Sequence, residues 1–151
     1  MERKRKVAAF ILRASAEGTA QLLFHSFGDQ PSLPVRLPGG GVDENEAVED
    51  ALFRELKEET GLTNLKIARK LGVQRYYKEY INADVERHDY LLVSADTLPD
   101  SWTHQVDGEG MDNGENFEFQ WLTSKEKILA IDPEHGQYLT PDYIPEFFPI
   151  I

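Results

Sequence analysis

The fold of this chain is decided by residues 40–62, which read GGVDENEAVEDALFRELKEETGL. The pattern is that of a loop, a helix and a helix stop. Asp43 is placed to be the N-cap of the helix, and Glu46, three residues later, completes a capping-box spacing. Gly61 occupies the position where a left-handed residue ends many helices. The spacing therefore predicts a helix from about residue 44 to residue 60.

The side chains of this predicted helix divide into two groups. Apolar residues recur at helical spacing and predict a buried face, made of Ala47, Val48, Ala51, Leu52 and Leu56. Glu55, Glu58 and Glu59 lie at i, i+3 and i+4, so they share another face. Three like charges near a helix C-terminus destabilise it, and a divalent cation would reverse that penalty. Carboxylate oxygens of this kind suit Mg²⁺ or Mn²⁺, whereas the alternative interpretation is a solvated acidic face.

The spacing Gly40-x5-Glu46-x7-Arg54-Glu55-Leu56-x-Glu58-Glu59-x-Gly61-Leu62 resembles the signature of the Nudix hydrolases, with every fixed position filled. The resemblance implies an α/β fold, with a mixed β-sheet sandwiched between α-helices, over a single domain that spans residues 1–151. It also implies that Glu55, Glu58, Glu59 and the carbonyl of Gly39 hold the metal. Arg54 would orient a catalytic glutamate, Glu55 and Glu58 are themselves catalytic candidates, and Glu46 would be structural.

The composition and charge of the chain are consistent with an enzyme that binds a metal ion and acts on a small substrate. The 151 residues include no cysteine, which excludes disulfides and thiolate chemistry. Arg13 interrupts the first apolar run and no stretch is long enough to span a membrane, so we expect a cytoplasmic protein without a membrane partner. The net charge of −11 is concentrated in residues 43–59 and 107–118, two acidic blocks that fit one shared cation site. This distribution argues against binding of duplex nucleic acid.

The rest of the chain predicts a sheet with short connections. Strands are expected at residues 6–14, 21–27, 65–81 (with a break or bulge at Gly72), 87–94 and 117–122, and a short one at 35–37. Residues 38–41, PGGG, predict a loop that approaches phosphate or metal. A long loop is expected at 98–116, a helix at 124–130, and an irregular tail packed on the core at 138–151.

Candidates for the remaining roles lie outside the acidic helix. Family members differ in whether the base is a signature glutamate or an outer acid. For the outer acid, which would also join the metal ligands, Glu115 is the first candidate and Glu118 the second, ahead of Glu109 and Asp112. Each of them is as readily a solvated loop acid. The substrate-binding candidates are Arg36, Gly40, Arg75 and Tyr77, and the aromatic side chains of residues 76, 77, 80 and 102 would either stack a base or pack in the core. A tyrosine near residue 77 resembles a mark of diadenosine polyphosphate hydrolases. Among the four histidines, which show no metal spacing, His104 lies nearest the second acidic block in sequence.

The resemblance implies metal-dependent hydrolysis of a phosphoanhydride bond in a nucleoside diphosphate linked to another group. The alternative is a Nudix-fold protein that binds a ligand without turnover, although such proteins typically lose signature carboxylates that this chain retains. Isomerase chemistry on an isoprenyl diphosphate, also found in the family, requires a cysteine that is absent here. A small nucleotide is the expected partner, and the protein is expected to be a monomer or a homodimer.

Overall fold

The computed structural model describes residues 3–14, 20–27, 36–108, 114–122 and 136–148. In chain order the elements are β1 (Arg3–Ala14), β2 (Ala20–Phe27), β3 (Gly39–Gly41), α1 (Val48–Thr60), β4 (Leu65–Lys78), β5 (Ala83–Ser94), β6 (Trp102–Gln105) and β7 (Asn116–Leu122). Short 3-10 turns cover Glu79–Ile81 and Pro145–Phe147. The predicted helix at 124–130, the turn after β1 and the loop at 28–34 lie outside the described residues.

The strands form one mixed sheet in the order β4-β5-β1-β2-β7-β6, and β3 pairs additionally with β1. β1 runs parallel to β5, and every other pairing is antiparallel. The mixed sheet packed by a helix confirms the predicted α/β class. The strands expected at 6–14, 21–27, 87–94 and 117–122 are confirmed, and each begins one to four residues earlier than predicted.

Each face of the sheet carries its own apolar core. On the face that α1 packs against, here called the helix side, the core includes Val7, Leu92, Phe119, Leu52 and Leu56. On the opposite face, here called the tail side, residues of 136–148 cover a core that contains Phe10, Leu91, Leu122, Tyr138 and Ile144. The prediction of a tail packed on the core is thus confirmed for the part of it that is described.

Several predicted elements differ from the structure. Residues 39–41 of the predicted loop at 38–41 form β3, because they pair with β1, and the strand predicted at 65–81 ends at Lys78. The helix begins at Val48 rather than at residue 44, because Asn45 has a left-handed φ of 66° and Ala47 is extended. Asp43 is therefore not the N-cap. Glu46 does accept a hydrogen bond from the Asp43 backbone N–H at 2.9 Å, but that bond closes a turn ahead of the helix. The expected loop at 98–116 contains β6, whose four residues pair with β7.

Other local predictions hold. Gly61 ends α1 in the left-handed conformation, with φ 78°, and its N–H donates to the Lys57 carbonyl. β4 has two register shifts against β5, one of them between Lys70 and Gly72, which confirms the expected irregularity at Gly72. None of the helices within the described ranges is long and apolar enough to cross a bilayer.

Candidate active site

Arg54, in the middle of α1, organises the acidic side chains around it. Its Nε and Nη2 donate to the two carboxylate oxygens of Glu46, each at 2.8 Å, and Nη2 also donates to the Gly41 carbonyl at 2.9 Å. Its Nη1 lies 3.0 Å from Glu55 and 3.3 Å from Glu58. The hydrogen bonds from Arg54 lower the pKa of Glu46 to about 2. One guanidinium thus fixes three carboxylates relative to the glycine strand β3.

Glu55 lies against the backbone of β3. A Cβ built on Gly40 would be 2.1 Å from Glu55 Oε2, so only glycine permits this approach. Burial raises the pKa of Glu55 to about 7, and Arg54 partly opposes that rise. A cation placed beside this carboxylate would favour its charged form.

Glu59 is directed differently from the other two acids. Its side chain is buried, and its Oε1 accepts a hydrogen bond from the Gly39 N–H at 2.9 Å. The carboxylate therefore ties α1 to β3, next to the point where Gly39 pairs with Ala8 of β1. Gly39 and Glu59, both predicted as metal ligands, are neighbours here through the backbone nitrogen of Gly39, whereas the predicted ligand atom is the Gly39 carbonyl oxygen.

Strand β6 and the residues after it hold the C-terminal end of α1. Trp102 Nε1 donates to the Thr60 carbonyl at 3.0 Å, and the Asp107 N–H donates to the Glu58 carbonyl at 3.0 Å. His104 Nε2 lies 3.1 Å from the same Glu58 carbonyl oxygen. These contacts satisfy carbonyls that a helix end otherwise leaves without partners.

An open cleft of about 530 Å³ lies on this end of the helix, lined by Arg54, Lys57, Glu58, Gly61, His104, Asp107 and Gly108. Glu58 forms part of its wall, and a Cβ built on Gly108 would be 2.6 Å from Glu58 Oε2. The cleft therefore gives a polar ligand access to a carboxylate and to the Lys57 ammonium.

Comparison with known proteins identifies the family. The NUDIX domain model matches residues 3–141, which is nearly the whole chain. The chain belongs to the NUDIX domain family.

Relatives of the NUDIX chain share both sequence and fold. The RNA pyrophosphohydrolase of Campylobacter jejuni strain 81-176 is 33% identical over 78 residues, which make up 52% of this chain and 46% of that protein. The chain thus matches about half the length of this curated relative. Among solved structures, a C. elegans Ap4A hydrolase superposes with a TM-score of 0.65 at 19% identity, covering 96% of this chain and 95% of that one. A NUDIX hydrolase from Nitrosomonas europaea gives 0.60 at 18% identity, covering 97% and 89%. These structural likenesses concern the fold alone.

The fit of a divalent cation to the NUDIX site rests on two carboxylates. Glu55 and Glu58 both lie within about 3.3 Å of Arg54 Nη1, so one guanidinium nitrogen holds the two carboxylates close to each other. Among the described residues, no group of three histidine, cysteine or acidic side chains is arranged to hold a metal. Hard oxygen donors of this type match Mg²⁺ or Mn²⁺. The chemistry of Glu55 and Glu58 therefore fits the ion, whereas Glu59 is engaged with Gly39 in this arrangement.

The predicted outer acids are placed unequally. The Glu115 side chain is exposed, and its carbonyl accepts the Val106 N–H at 2.8 Å, next to the Asp107 that contacts Glu58. Glu118 alternates with the buried Phe117 and Phe119, so it lies on the tail side, away from α1. The structure thus keeps Glu115 near the cleft and places Glu118 on the other face. Glu109 and Asp112 lie outside the described residues.

The predicted substrate residues are dispersed. Arg36 forms an isolated bridge with His25 of β2 through their backbones. Arg75 and Tyr77 lie at the far end of β4, on the helix side, where Arg75 contacts Glu86. Gly40 alone lies directly beside an acid of α1.

The aromatic side chains predicted either to stack a base or to pack in the core also lie in different parts of the structure. Trp102 stacks on Phe119 with ring centroids 5.0 Å apart and packs on the helix-side core, which agrees with the second of its two predicted roles, packing in the core. Tyr76 lies on the tail side, with the guanidinium of Arg87 5.7 Å from its ring centroid. Tyr77 is exposed. The side chain of Tyr80 lies outside the described part.

Sequence reasoning missed the residues that support the acids. Hydrogen bonds position the acidic helix from outside the signature acids. The Gly41 carbonyl accepts one from Arg54, and the Asp107 N–H and the Trp102 indole donate to carbonyls at the end of α1. Backbone donors and acceptors leave no mark in a residue pattern. The sequence signal that did exist was His104 near the second acidic block, and the structure places His104 against Glu58.

Proposed function

We propose that this NUDIX protein is a divalent-metal-dependent pyrophosphohydrolase that cleaves a phosphoanhydride bond in a nucleoside diphosphate linked to another group. The observation that carries the proposal is the arrangement of Arg54, which holds Glu55 and Glu58 together beside the glycine strand. The name of the curated relative, RNA pyrophosphohydrolase, supports the same reaction class. A cytoplasmic location and a monomeric or homodimeric state are part of the proposal.

Glu55 and Glu58 would hold Mg²⁺ or Mn²⁺, with Glu59 and the Gly39 carbonyl as the further predicted ligands. When bound, the ion would neutralise the diphosphate and polarise a phosphoryl oxygen. Arg54 is a positioning residue, because its Nε and both terminal nitrogens are already committed to Glu46, Gly41, Glu55 and Glu58.

The protein must also supply a base and contacts to phosphate. A base close to the ion takes the proton of the attacking water. Glu58, in the cleft wall, and Glu115, whose carbonyl accepts a hydrogen bond from the Val106 N–H, are the candidates. Lys57, which lines the cleft, adds a cation for phosphate. Gly40 has no side chain and therefore leaves room for Glu55, a proposed metal ligand.

A pair of isosteric substitutions tests the metal assignment. Glu58→Gln removes a ligand charge and keeps the side-chain shape, so we expect turnover to fall by at least about a hundredfold. Glu49→Gln makes the same change in the exposed first turn of α1 and should leave turnover nearly unaltered. Equal activity in the two variants would refute the role of Glu58.

The base is tested separately. If Glu115 is the outer acid, Glu115→Gln should slow turnover far more than Asp112→Asn, another acid of the same stretch. Equal effects would show that Glu115 is not the base. A NUDIX-fold binding protein without turnover is the second candidate, and it would be favoured by tight metal-dependent nucleotide binding with no hydrolysis.

A further inference from the structure

Beyond the N-terminal end of α1, the helix side of the sheet carries four cations on two of its three neighbouring strands. They are Arg3 and Arg5 of β1 and Lys70 and Arg75 of β4, here called the cationic patch. The register places Arg5 and Arg75 on either side of Glu86 of β5, and Arg3 beside Asp84. All six residues alternate with the tail-side positions of their strands and so face the same way.

A β-bulge brings the patch together. Lys70 and Arg75 are five residues apart, an odd number, so in a regular strand they would face opposite sides of the sheet. The register shift between Lys70 and Gly72 adds the extra residue that returns both to the helix side. Lys70 then lies 2.8 Å from His88 and 5.3 Å from the centroid of the Tyr90 ring, both on β5.

Two acids, Glu86 and Asp84, lie within the patch, and Glu46 and Glu49 lie at its border with α1, where they interact electrostatically with Arg5 and Tyr90. Glu86 lies 3.3 Å from Arg75, 3.9 Å from Arg3 and 3.4 Å from His88 Nε2, so one carboxylate serves several partners. Burial and Lys70 lower the pKa of His88, which keeps this ring neutral at pH 7. With Asp84 counted as well, the patch carries a formal charge of about +2, whereas the whole chain carries −11. An anionic ligand would be attracted to this part of the surface.

The shape of the patch favours a chain of phosphates over a single one. The β5 partners of Lys70 and Arg75, Tyr90 and Glu86, are four residues apart, so the two cations are separated by roughly 13 Å at about 3.3 Å per residue, which exceeds the size of one phosphate group. Tyr77 is 51% exposed beside Arg75, and its hydroxyl donates to Asn82, which orients the ring. A hollow of about 260 Å³ lies here, lined by Arg3, Arg75, Tyr76, Tyr77, Asp84 and Val85. Cations that track a backbone, together with an exposed aromatic ring, form a surface suited to single-stranded nucleic acid.

We infer that the cationic patch binds the sugar-phosphate backbone of single-stranded RNA, with a base stacked on Tyr77, while the 5′-phosphates of that RNA reach the carboxylates of α1. A chain of contacts joins the two places. Arg5 Nη2 donates to the Asp43 carbonyl at 2.9 Å, and the Asp43 carboxylate lies 3.7 Å from Arg54. The inference rests on the proposed function and gives its substrate class. An RNA that begins with a nucleoside triphosphate carries the required phosphoanhydride at its 5′ end.

Binding without catalysis tests the patch directly. The probe is a single-stranded RNA of about ten nucleotides with a 5′-monophosphate and a 3′ fluorophore, titrated in EDTA and followed by fluorescence anisotropy. The side chains of Arg3 and Arg75 are 57% and 62% exposed, so glutamine at either position leaves the core intact. Arg75→Gln should weaken binding about fivefold near 0.1 M salt, and Arg3→Gln with Arg75→Gln about 25-fold. The slope of log K against log salt should become shallower by about 0.7 for each lost phosphate contact.

The matched control is Lys66→Gln, which removes the same charge from β4 on the tail side, where Lys66 pairs with Val93. It should change binding by less than about twofold. Tyr77→Leu should weaken binding about tenfold through lost stacking, and a duplex of the same sequence should bind at least about tenfold more weakly than the single strand. Equal effects of Arg75→Gln and Lys66→Gln, or equal binding of duplex and single strand, would overturn the inference.

The two proposals fail in distinguishable ways. If the wild-type protein hydrolyses mononucleotides while Arg75→Gln binds RNA as the wild type does, the inference is overturned and the proposed function stands. If RNA binding depends on the patch but the wild-type protein cleaves no phosphoanhydride, the patch is supported as an RNA surface and the hydrolase is refuted.

Discussion

Replacement of Arg54 by lysine tests whether one guanidinium holds the site together. Lysine keeps the charge but has a single nitrogen, so it cannot reproduce the paired 2.8 Å bonds to Glu46 while also reaching Gly41 and Glu55. We count about three lost hydrogen bonds. Because the Arg54 side chain is 30% exposed, water weakens these hydrogen bonds, and we take each one to contribute about 1 kcal/mol to the free energy of unfolding. The expected loss is about 3 kcal/mol of unfolding free energy, or a fall in Tm of about 6–12 °C.

The chain offers a closely matched control in Arg69. This residue also makes two 2.8 Å bonds to one carboxylate, that of Glu146, and a third to the Tyr143 carbonyl. The side chains of Arg69 and Glu146 are 40% and 43% exposed, so the same replacement should cost less than about 1 kcal/mol.

Thermal unfolding followed by circular dichroism, with the metal chelated, compares Arg54→Lys and Arg69→Lys at one pH. A double-mutant cycle with Glu46→Gln should give a coupling energy of about 1–2 kcal/mol for the Arg54 pair, and the cycle with Glu146→Gln should give nearly none. Equal losses of Tm in the two lysine variants would refute the reasoning, because the partly buried network around Arg54 would then be no stronger than a surface ion pair.

Three further predictions follow from the same structure. Gly40→Ala should cut turnover by about a hundredfold, because its Cβ would displace Glu55, whereas a Cβ on Gly41 meets nothing within 4 Å, and Gly41→Ala should retain activity in the same assay. Burial lowers the pKa of His25 to about 3; the unfolded chain therefore takes up a proton below about pH 6.5 while the native state does not, and stability should fall as pH drops from there. His25→Phe should remove up to about 5 kcal/mol of that dependence in urea titrations at several pH values, and an unchanged profile would contradict it. Asp89→Ala removes the carboxylate that accepts a hydrogen bond from the buried Arg87 Nε at 2.8 Å. The free energy of unfolding, measured in guanidinium chloride, should fall by about 3–5 kcal/mol, and a fall of less than about 1 kcal/mol would show that the Arg87–Asp89 pair does not stabilise the fold.

The elements that could be predicted are those with a local physical cause. The end of α1 at Gly61 requires a left-handed residue, and the apolar spacing of Leu52 and Leu56 predicts the buried face, so both were readable from the sequence. The start of α1 was not, because the Glu46 carboxylate has two partners, and its contact with Arg54 favours a turn that ends at Ala47 rather than a capped helix.

Features that depend on contacts distant in sequence could not be predicted. β6 is a strand because its four residues pair with β7 and satisfy the end of α1, and its own composition shows no strong alternation. The cationic patch depends on the bulge after Lys70. Because of that bulge, the side chains that follow lie on the opposite face of the sheet from the one that regular alternation would give them. Conversely, the signature spacing predicted Glu55 and Glu58 as neighbours, and the structure brings both to Arg54, whereas it directs Glu59 to Gly39.

The most direct test of the account is hydrolysis by the wild-type protein across a panel of phosphoanhydrides, with about 5 mM Mg²⁺ or Mn²⁺ or with EDTA. The panel holds nucleoside di- and triphosphates, oxidised nucleotides, dinucleoside polyphosphates, nucleotide sugars and 5′-triphosphorylated RNA, and phosphate release is coupled to a phosphatase where needed. The account predicts cleavage of at least one class, dependent on the metal and lost in Glu58→Gln. Tight nucleotide binding without cleavage of any member, with and without metal, would contradict it and establish a binding protein instead.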